Sequence, residues 1–123
     1  MSGTTLSLFV ALRDALSAAC PDLKVFLFPT LIGLGLQSRS RPYFCIVGAQ
    51  KSALRLRLRL PFAAVANPPE WCTRRPSKSA SGDQVRLHLR SVDQVPTAVA
   101  LLCQAAASMR KAAGASPNDG AST

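Results

Sequence analysis

Arginine is the residue type whose number and spacing in this chain suggest chemistry. Basic residues alternate with apolar ones in two segments, 54–60 and 85–90. They are Arg55, Arg57, Arg59, Arg86, His88 and Arg90. A guanidinium group is planar, permanently charged and able to donate two parallel hydrogen bonds to a phosphate. The pattern therefore indicates contact with a polyanion rather than bond-making chemistry.

The charge of the whole chain is concentrated around these segments. The formal net charge is +9, and between residues 51 and 90 nine Lys or Arg stand against only Glu70 and Asp83. Arg74 and Arg75 belong to this basic region and join the candidate binding residues. Such clustering predicts an anionic partner without identifying it.

Catalytic readings have little support. His88 is the only histidine, and its position between two arginines disfavours an imidazolium ion, so a solvated surface histidine is expected. The six carboxylates form no motif, and no cysteines lie at metal-ligand spacing, so neither an enzyme nor a cofactor or metal site is predicted. A thiol enzyme using Cys45 or Cys72 is a distant alternative. Gly33-Leu34-Gly35 is too short for a phosphate loop and is explained by strand packing.

The elements that position the arginines must be β-strands. A period of two places the leucines of 54–60 on one face and the arginines on the other, whereas a helix would scatter both sets. Burial of a leucine is worth about 1.5–3 kcal/mol, so the leucine face is expected in the core. If the two alternating strands are neighbours, five arginines share one exposed face, with same-face residues on a strand about 6.7 Å apart.

The rest of the chain completes a two-layer α+β fold. Apolar spacing predicts helices from Thr4 or Thr5 to about Ala19 and from Asp93, as N-cap with Pro96 at N3, to about Ala107. Further strands are predicted at Lys24–Phe28, Leu31–Leu36 and Tyr43–Ala49, and a long loop at Pro61–Gln84. We expect a mostly antiparallel sheet of about five strands with both helices on one face. Residues 1–112 form the single domain and 113–123 a disordered tail.

The cysteines and the hydropathy bear on the compartment. Cys20, Cys45, Cys72 and Cys103 lie far apart, as expected of free buried thiols in a reducing compartment, which favours the cytoplasm. No apolar run approaches the roughly 20 residues of a membrane span, and no targeting signal is evident. Membrane association is therefore not predicted.

Several short segments between about Pro21 and Ala106 resemble a known family. They are Pro21-Asp22-Leu23-Lys24-Val25, Tyr43-Phe44-Cys45-Ile46-Val47, Gln50-Lys51-Ser52-Ala53-Leu54-Arg55-Leu56, Gly82-Asp83-Gln84-Val85-Arg86-Leu87, Ser91-Val92-Asp93 and Leu101-Leu102-Cys103-Gln104-Ala105. The family is a bacterial and archaeal domain of unknown function, often found at the C-terminus of nuclease-like proteins, some labelled predicted transport proteins. The resemblance implies a small α+β domain and carries over no catalytic residue.

Two positions depart from that family. Its members often have a His-Trp pair and a glycine before Gly-Asp, where this chain has Pro76–Ser81, and an aromatic residue after Gln-Ala, where this chain has Ala106. If those residues serve a site in the family, this chain lacks it. The nuclease-like neighbours do not make this domain a nuclease, because the acidic and lysine residues that such chemistry requires are absent.

The leading hypothesis is a non-enzymatic accessory domain that binds DNA or RNA through the arginine face. Because the two basic strands contain no aromatic residues for base stacking, little sequence preference is expected. The alternative is a structural domain whose basic face only keeps the sheet soluble. A protein partner or a second copy of the chain would then more readily use Phe26–Leu36. Trp71 could anchor the long loop to the core or mark a contact surface.

Overall fold

The predicted helices and strands all form, and one further strand forms inside the predicted long loop. The computed structural model describes residues 3–29, 31–36, 43–76 and 82–114. In chain order the elements are α1 (Gly3–Ala19), β1 (Leu23–Leu27), β2 (Ile32–Leu36), β3 (Cys45–Ala49), β4 (Leu54–Pro61), β5 (Cys72–Arg75), β6 (Gln84–Leu89) and α2 (Val95–Gly114). Two short 3-10 helices, Phe62–Ala64 and Val92–Gln94, follow β4 and precede α2.

The described strands form one antiparallel sheet in the order β1-β2-β3-β4-β6-β5. The predicted adjacency of the two alternating strands, β4 and β6, is confirmed. Arg57 lies directly opposite Arg86, and Arg55 lies directly opposite His88. β3 lies inside the sheet between β2 and β4, as its apolar residues on both faces predict.

The core lies between one face of this sheet and both helices. The four leucines of β4 are at most 2% exposed, and they pack in one cluster with residues such as Leu12 of α1 and Leu102 of α2. Because successive side chains of a strand point to opposite faces, burial of every leucine leaves every arginine of β4 on the other face. The predicted two-layer α+β architecture, with both helices on one side, is confirmed.

The strand count is six rather than about five, because the predicted loop 61–84 contains β5. This strand pairs with β6 through four residue pairs, from Cys72 opposite Leu87 to Arg75 opposite Gln84. The sequence Cys-Thr-Arg-Arg has no apolar alternation that would predict a strand. This segment is a strand because its backbone pairs with the free edge of β6, although its side-chain pattern does not predict one.

The start of α2 also differs from the prediction. Asp93 is not its N-cap, since it lies within the 3-10 helix Val92–Gln94, and Pro96 is the second residue of α2 instead of the third. The side-chain oxygen of Gln94 accepts hydrogen bonds from the backbone N–H groups of Arg90 (2.6 Å) and Ser91 (3.2 Å). The Gln94 side chain therefore organises this helix start, in the manner of a capping box.

The end of α2 lies beyond the predicted end near Ala107. The helix continues to Gly114, so that it includes residues 113 and 114 of the predicted tail. The remainder of that tail, 115–123, lies outside the described residues.

Candidate functional site

The sheet face opposite the helices is the candidate site, and we call it the open face. Directly opposite residues of neighbouring strands lie on the same face, so the pairing defines its rows. One row crosses the whole sheet and comprises Phe26, Gly33, Ile46, Arg57, Arg86 and Thr73. The adjacent row contains Gly48, Arg55 and His88. Half of this face is apolar or glycine-rich, and the other half is basic.

Four arginines form the centre of the basic half, and we call them the arginine cluster: Arg57, Arg59, Arg75 and Arg86. Burial lowers the pKa of Arg75, and the charges of Arg57, Arg86 and Arg59 lower it further, in that order. Three of the four, Arg57, Arg59 and Arg75, line one pocket of about 170 Å³ together with Tyr43 and Ile46. The pocket is therefore a small cavity surrounded by positive charge on one side and apolar groups on the other.

The arginine cluster has no carboxylate to balance it within the described part of the chain. The arginine ion pairs found there are Arg13 with Asp14 at 3.1 Å and Arg74 with Asp83 at 3.7 Å, both away from the cluster. The Nε atoms of Arg75 and Arg86 are enclosed without a hydrogen-bond acceptor from the described residues. A buried donor left without a partner costs about 1–3 kcal/mol. The fold therefore holds these two Nε–H groups at a cost in stability.

His88 lies beside the arginine cluster, next to a second and larger pocket. Its Nε2 atom is 3.4 Å from the hydroxyl oxygen of Thr73, and that hydroxyl donates to the backbone carbonyl of Arg86. Burial lowers the pKa of His88 below 6.5, and the charges of three arginines, Arg55, Arg86 and Arg90, lower it further. The imidazole is therefore neutral at pH 7, and the site presents it as a hydrogen-bonding group rather than as a cation.

The larger pocket has a volume of about 460 Å³ and is lined by Glu70, Trp71, Thr73, His88, Arg90 and Gln94. Trp71 is half-buried, packs against the core and also lines this pocket. Its packing agrees with the role of a loop anchor, and its role as a contact residue stays a prediction. The pocket extends the open face towards the edge strand β5.

The structure brings seven of the eight predicted binding residues together. The seven are Arg55, Arg57, Arg59, Arg75, Arg86, His88 and Arg90. Arg74 lies apart, because its position in β5 is opposite the fully buried Val85. Its guanidinium carbon lies 4.7 Å from the ring centre of Phe62, on the other side of the sheet. A nitrogen of the same guanidinium group forms an ion pair there with a carboxylate oxygen of Asp83. Arg74 and Arg75 are consecutive, so strand geometry sends them to opposite faces.

Sequence reasoning did not place three aromatic residues beside the arginines: Phe26, Phe28 and Tyr43, which we call the aromatic patch. The ring centre of Tyr43 lies 5.0 Å from that of Phe26 and 5.6 Å from that of Phe28, both in edge-on geometry. None of them belongs to the two basic strands, yet Phe26 lies in the same row as Arg57, and Tyr43 lines the arginine pocket. Their position depends on the register in which β1 pairs with β2, and the sequence does not predict that register.

The cysteines do not form a reactive site among the described residues. Cys20, Cys45 and Cys72 are buried, Cys103 is half-buried, and all four are free thiols. Burial raises the pKa of Cys45 and of Cys72, which keeps both thiols protonated and weakly nucleophilic at neutral pH.

Within the described residues, no group of three His, Cys, Asp or Glu side chains could hold a metal ion. Neither described helix is long and apolar enough to cross a membrane.

Comparison with known proteins finds no family model, no curated protein and no solved structure that matches the chain. The function proposed next therefore depends on the geometry and electrostatics of the open face.

Proposed function

We propose that this chain is a non-enzymatic module that binds nucleic acid through the phosphates, using the arginine cluster with Arg55 and Arg90 beside it. The observation that carries the proposal is the direct opposition of Arg57 and Arg86 within a cluster that has no described carboxylate partner. An accessory role agrees with the resemblance described above. The four free thiols favour a reducing compartment such as the cytoplasm.

Solubility alone is a weaker explanation for these arginines. An uncovered sheet face needs long polar side chains, but charges of both signs serve that purpose equally well. Like charges directly opposite each other destabilise a sheet, and the enclosed Nε atoms of Arg75 and Arg86 add a further cost. A bound phosphate removes the first of these costs, because it neutralises the repulsion between the opposed guanidinium groups and accepts hydrogen bonds from their exposed nitrogens.

The spacing of the arginines suits an extended chain of phosphates. Same-face residues are about 6.7 Å apart along a strand, and neighbouring strands are about 4.8 Å apart. Arg57 and Arg59 therefore offer successive contacts along β4, and Arg86 offers a lateral one. Contacts of this kind hold the backbone of a nucleic acid and read little of its sequence.

The test replaces two opposed arginines by neutral residues of similar shape. Arg57→Gln combined with Arg86→Gln should lower the affinity for mixed DNA and RNA oligonucleotides by at least about 100-fold at low salt, since hydrogen bonds to charged groups are worth about 1.5–3 kcal/mol each. Affinities are measured by fluorescence anisotropy at about 50 and about 200 mM salt. The wild-type affinity should fall steeply between the two, and the variant should show a slope smaller by about 1.4 to 1.8.

The matched control is Arg13→Gln combined with Arg74→Gln, which removes the same charge from the other side of the molecule. It should keep most of the wild-type affinity. If both double variants lose the same affinity, net charge alone explains the effect and the proposed binding surface is wrong. Absence of salt-dependent binding by the wild-type protein would leave the basic face with a solubilising role only.

A further inference from the structure

The aromatic patch is held in place by the absence of a side chain at Gly33. A Cβ atom at this position would lie 2.7 Å from Cδ1 of Tyr43 and 2.9 Å from its Cγ, closer than such atoms approach. The Tyr43 ring therefore lies directly over the backbone of β2. Phe26 and Phe28 meet it edge-on from neighbouring positions, and the Nζ atom of Lys24 lies 4.9 Å from the ring centre of Phe26.

The aromatic patch and the arginine cluster share one surface. Tyr43 lines the same 170 Å³ pocket as Arg57, Arg59 and Arg75. Phe26 and Arg57 occupy one row, three strands apart, which corresponds to about 14 Å at about 4.8 Å per strand. Ile46 lies between them. A ligand on the open face therefore meets rings at one end and guanidinium groups at the other.

A surface that combines aromatic rings with guanidinium groups favours single-stranded nucleic acid over a duplex. A duplex presents phosphates, but its bases are stacked on one another and their faces are inaccessible to a ring on a sheet. In a single strand the bases can turn outward and stack on aromatic side chains while the phosphates follow a basic groove. Phe28 is 41% exposed, so its ring is accessible to a base beside the Tyr43 ring.

We propose that the ligand of the open face is single-stranded nucleic acid, with bases stacked on Phe28 and Tyr43 and with phosphates bound by the arginine cluster. This inference rests on the proposed function and specifies its substrate class. Stacking is tolerant of base identity, because every base has a π face, so little sequence preference follows. The phosphates lie over β4 and β6, and the bases extend towards β1 and β2.

The test compares three probes of about ten nucleotides, a length within the usual site size for single-strand binding. They are a mixed-sequence single strand, the corresponding duplex and a single strand of abasic sugars, which has the phosphates without the bases. The wild-type protein should bind the first at least about tenfold more tightly than either of the others. Equal affinity for the base-containing and abasic strands would overturn stacking.

Variants then locate the stacking rings. Phe28→Ala and Tyr43→Leu should each lower the affinity for the base-containing strand by about tenfold and leave the affinity for the abasic strand unchanged. Tyr43→Phe retains the ring and should retain the affinity. Leu27→Ala is the control, because Leu27 is 76% exposed beside Phe28 but lies in a row of the helix-side face. Phe28 is exposed at the surface, so its variant stays informative if Tyr43→Leu fails to fold.

The outcomes separate this inference from the proposed function. If the three probes bind equally and the Arg57→Gln, Arg86→Gln double variant loses all of them, stacking is overturned and phosphate binding stands. If the wild-type protein binds none of the probes at low salt, both proposals fail. Loss of single-strand preference on replacing Phe28 or Tyr43, with the abasic affinity intact, supports the assignment.

Discussion

His88 is a histidine whose neighbours keep it uncharged. Arg55 faces it across the strand pair, Arg86 lies two residues before it in β6, Arg90 follows just after β6, and Thr73 contacts its Nε2 atom. Glu70 is the carboxylate that lines the same pocket. Burial is the largest cause of the lowered pKa, and the arginine charges add to it. The side chain therefore responds to any anion that binds beside it.

The stability of the protein should depend on pH through His88. Its folded-state pKa lies below the ordinary value of 6.5, so between the two values the unfolded chain binds more protons than the folded one. Stability is therefore complete above about 6.5 and decreases as the pH falls through that window. Thermal unfolding between about pH 7 and about pH 5.5 should show this decrease, and His88→Gln should remove it. His88 is the only histidine, so few other groups titrate there.

Binding of a nucleic acid should reverse the effect. Phosphates beside His88 favour the imidazolium ion, so the complex takes up a proton and the affinity rises by at most about tenfold per pH unit as the pH falls. In the His88→Gln variant the affinity should be constant over the same range. A wild-type affinity that decreases on acidification would contradict phosphate binding next to His88.

At the scale of the element, the β1–β2 hairpin determines whether the rings reach the open face. Gly33→Ala places a methyl group where the Tyr43 ring lies, and overpacking of this kind costs about 1–3 kcal/mol. We expect a lower free energy of unfolding in urea and a reduced affinity for single strands, because the ring must move.

Gly48→Ala is the matched control for that substitution. Gly48 lies in β3 on the same face, and a Cβ atom there would approach nothing closer than the carbonyl oxygen of Arg55 at 4.0 Å. Its stability and its single-strand affinity should stay near the wild-type values. Equal losses for the two alanine variants would show that the Tyr43 ring does not depend on Gly33.

The elements differ in how far the sequence predicts them. In β4 and β6 the alternation predicts both the strand and the face on which each side chain lies, because burying an arginine in the core is very costly. β5 has no such pattern, and its conformation depends on the backbone of β6. The start of α2 depends on a capping box in which Ser91 is the N-cap of the preceding 3-10 helix and the Gln94 side chain accepts the Ser91 N–H, a pairing that the sequence pattern does not favour over Asp93.

The candidate site was predictable to the same extent. The arginines of the two alternating strands follow from period and adjacency, whereas Arg74 and Arg75 could be assigned to faces only after β5 was known. The aromatic patch could not be placed, because the position of Phe26 relative to Arg57 depends on three successive strand pairings. Each pairing is set by turns and hydrogen bonds whose pattern is weak in the sequence.

In the whole molecule, the apolar core and most of the cationic side chains of the strands lie on opposite sides of the sheet. The described core is formed almost entirely by apolar side chains between helices and sheet, and the cationic groups are concentrated on the far side of the sheet. The chain has a net charge of +9, so these cationic groups are not balanced by carboxylates. Because most of them lie on one face, electrostatic repulsion acts mainly within that face.

Salt should therefore stabilise the free protein. Raising the salt from about 50 to about 200 mM screens the repulsion among the arginines, and the thermal midpoint should rise by a few degrees. The Arg57→Gln, Arg86→Gln double variant should show a smaller rise, whereas the Arg13→Gln, Arg74→Gln control should show the full one. A rise of equal size in all three proteins would locate the repulsion outside the arginine cluster.

The sequence repeat in β4 is compatible with more than one register of strand pairing. From 54 to 59 the dipeptide Leu-Arg occurs three times, so a slip by two residues would still bury leucines and expose arginines, whereas a slip by one would bury the arginines. The ends of the strand resolve this degeneracy: the N–H of Gln50 donates to the carbonyl of Ala53, and the N–H of Phe62 donates to that of Asp83, each at 2.8 Å. Adding one Leu-Arg unit would therefore preserve the core and still change which arginine faces Arg86.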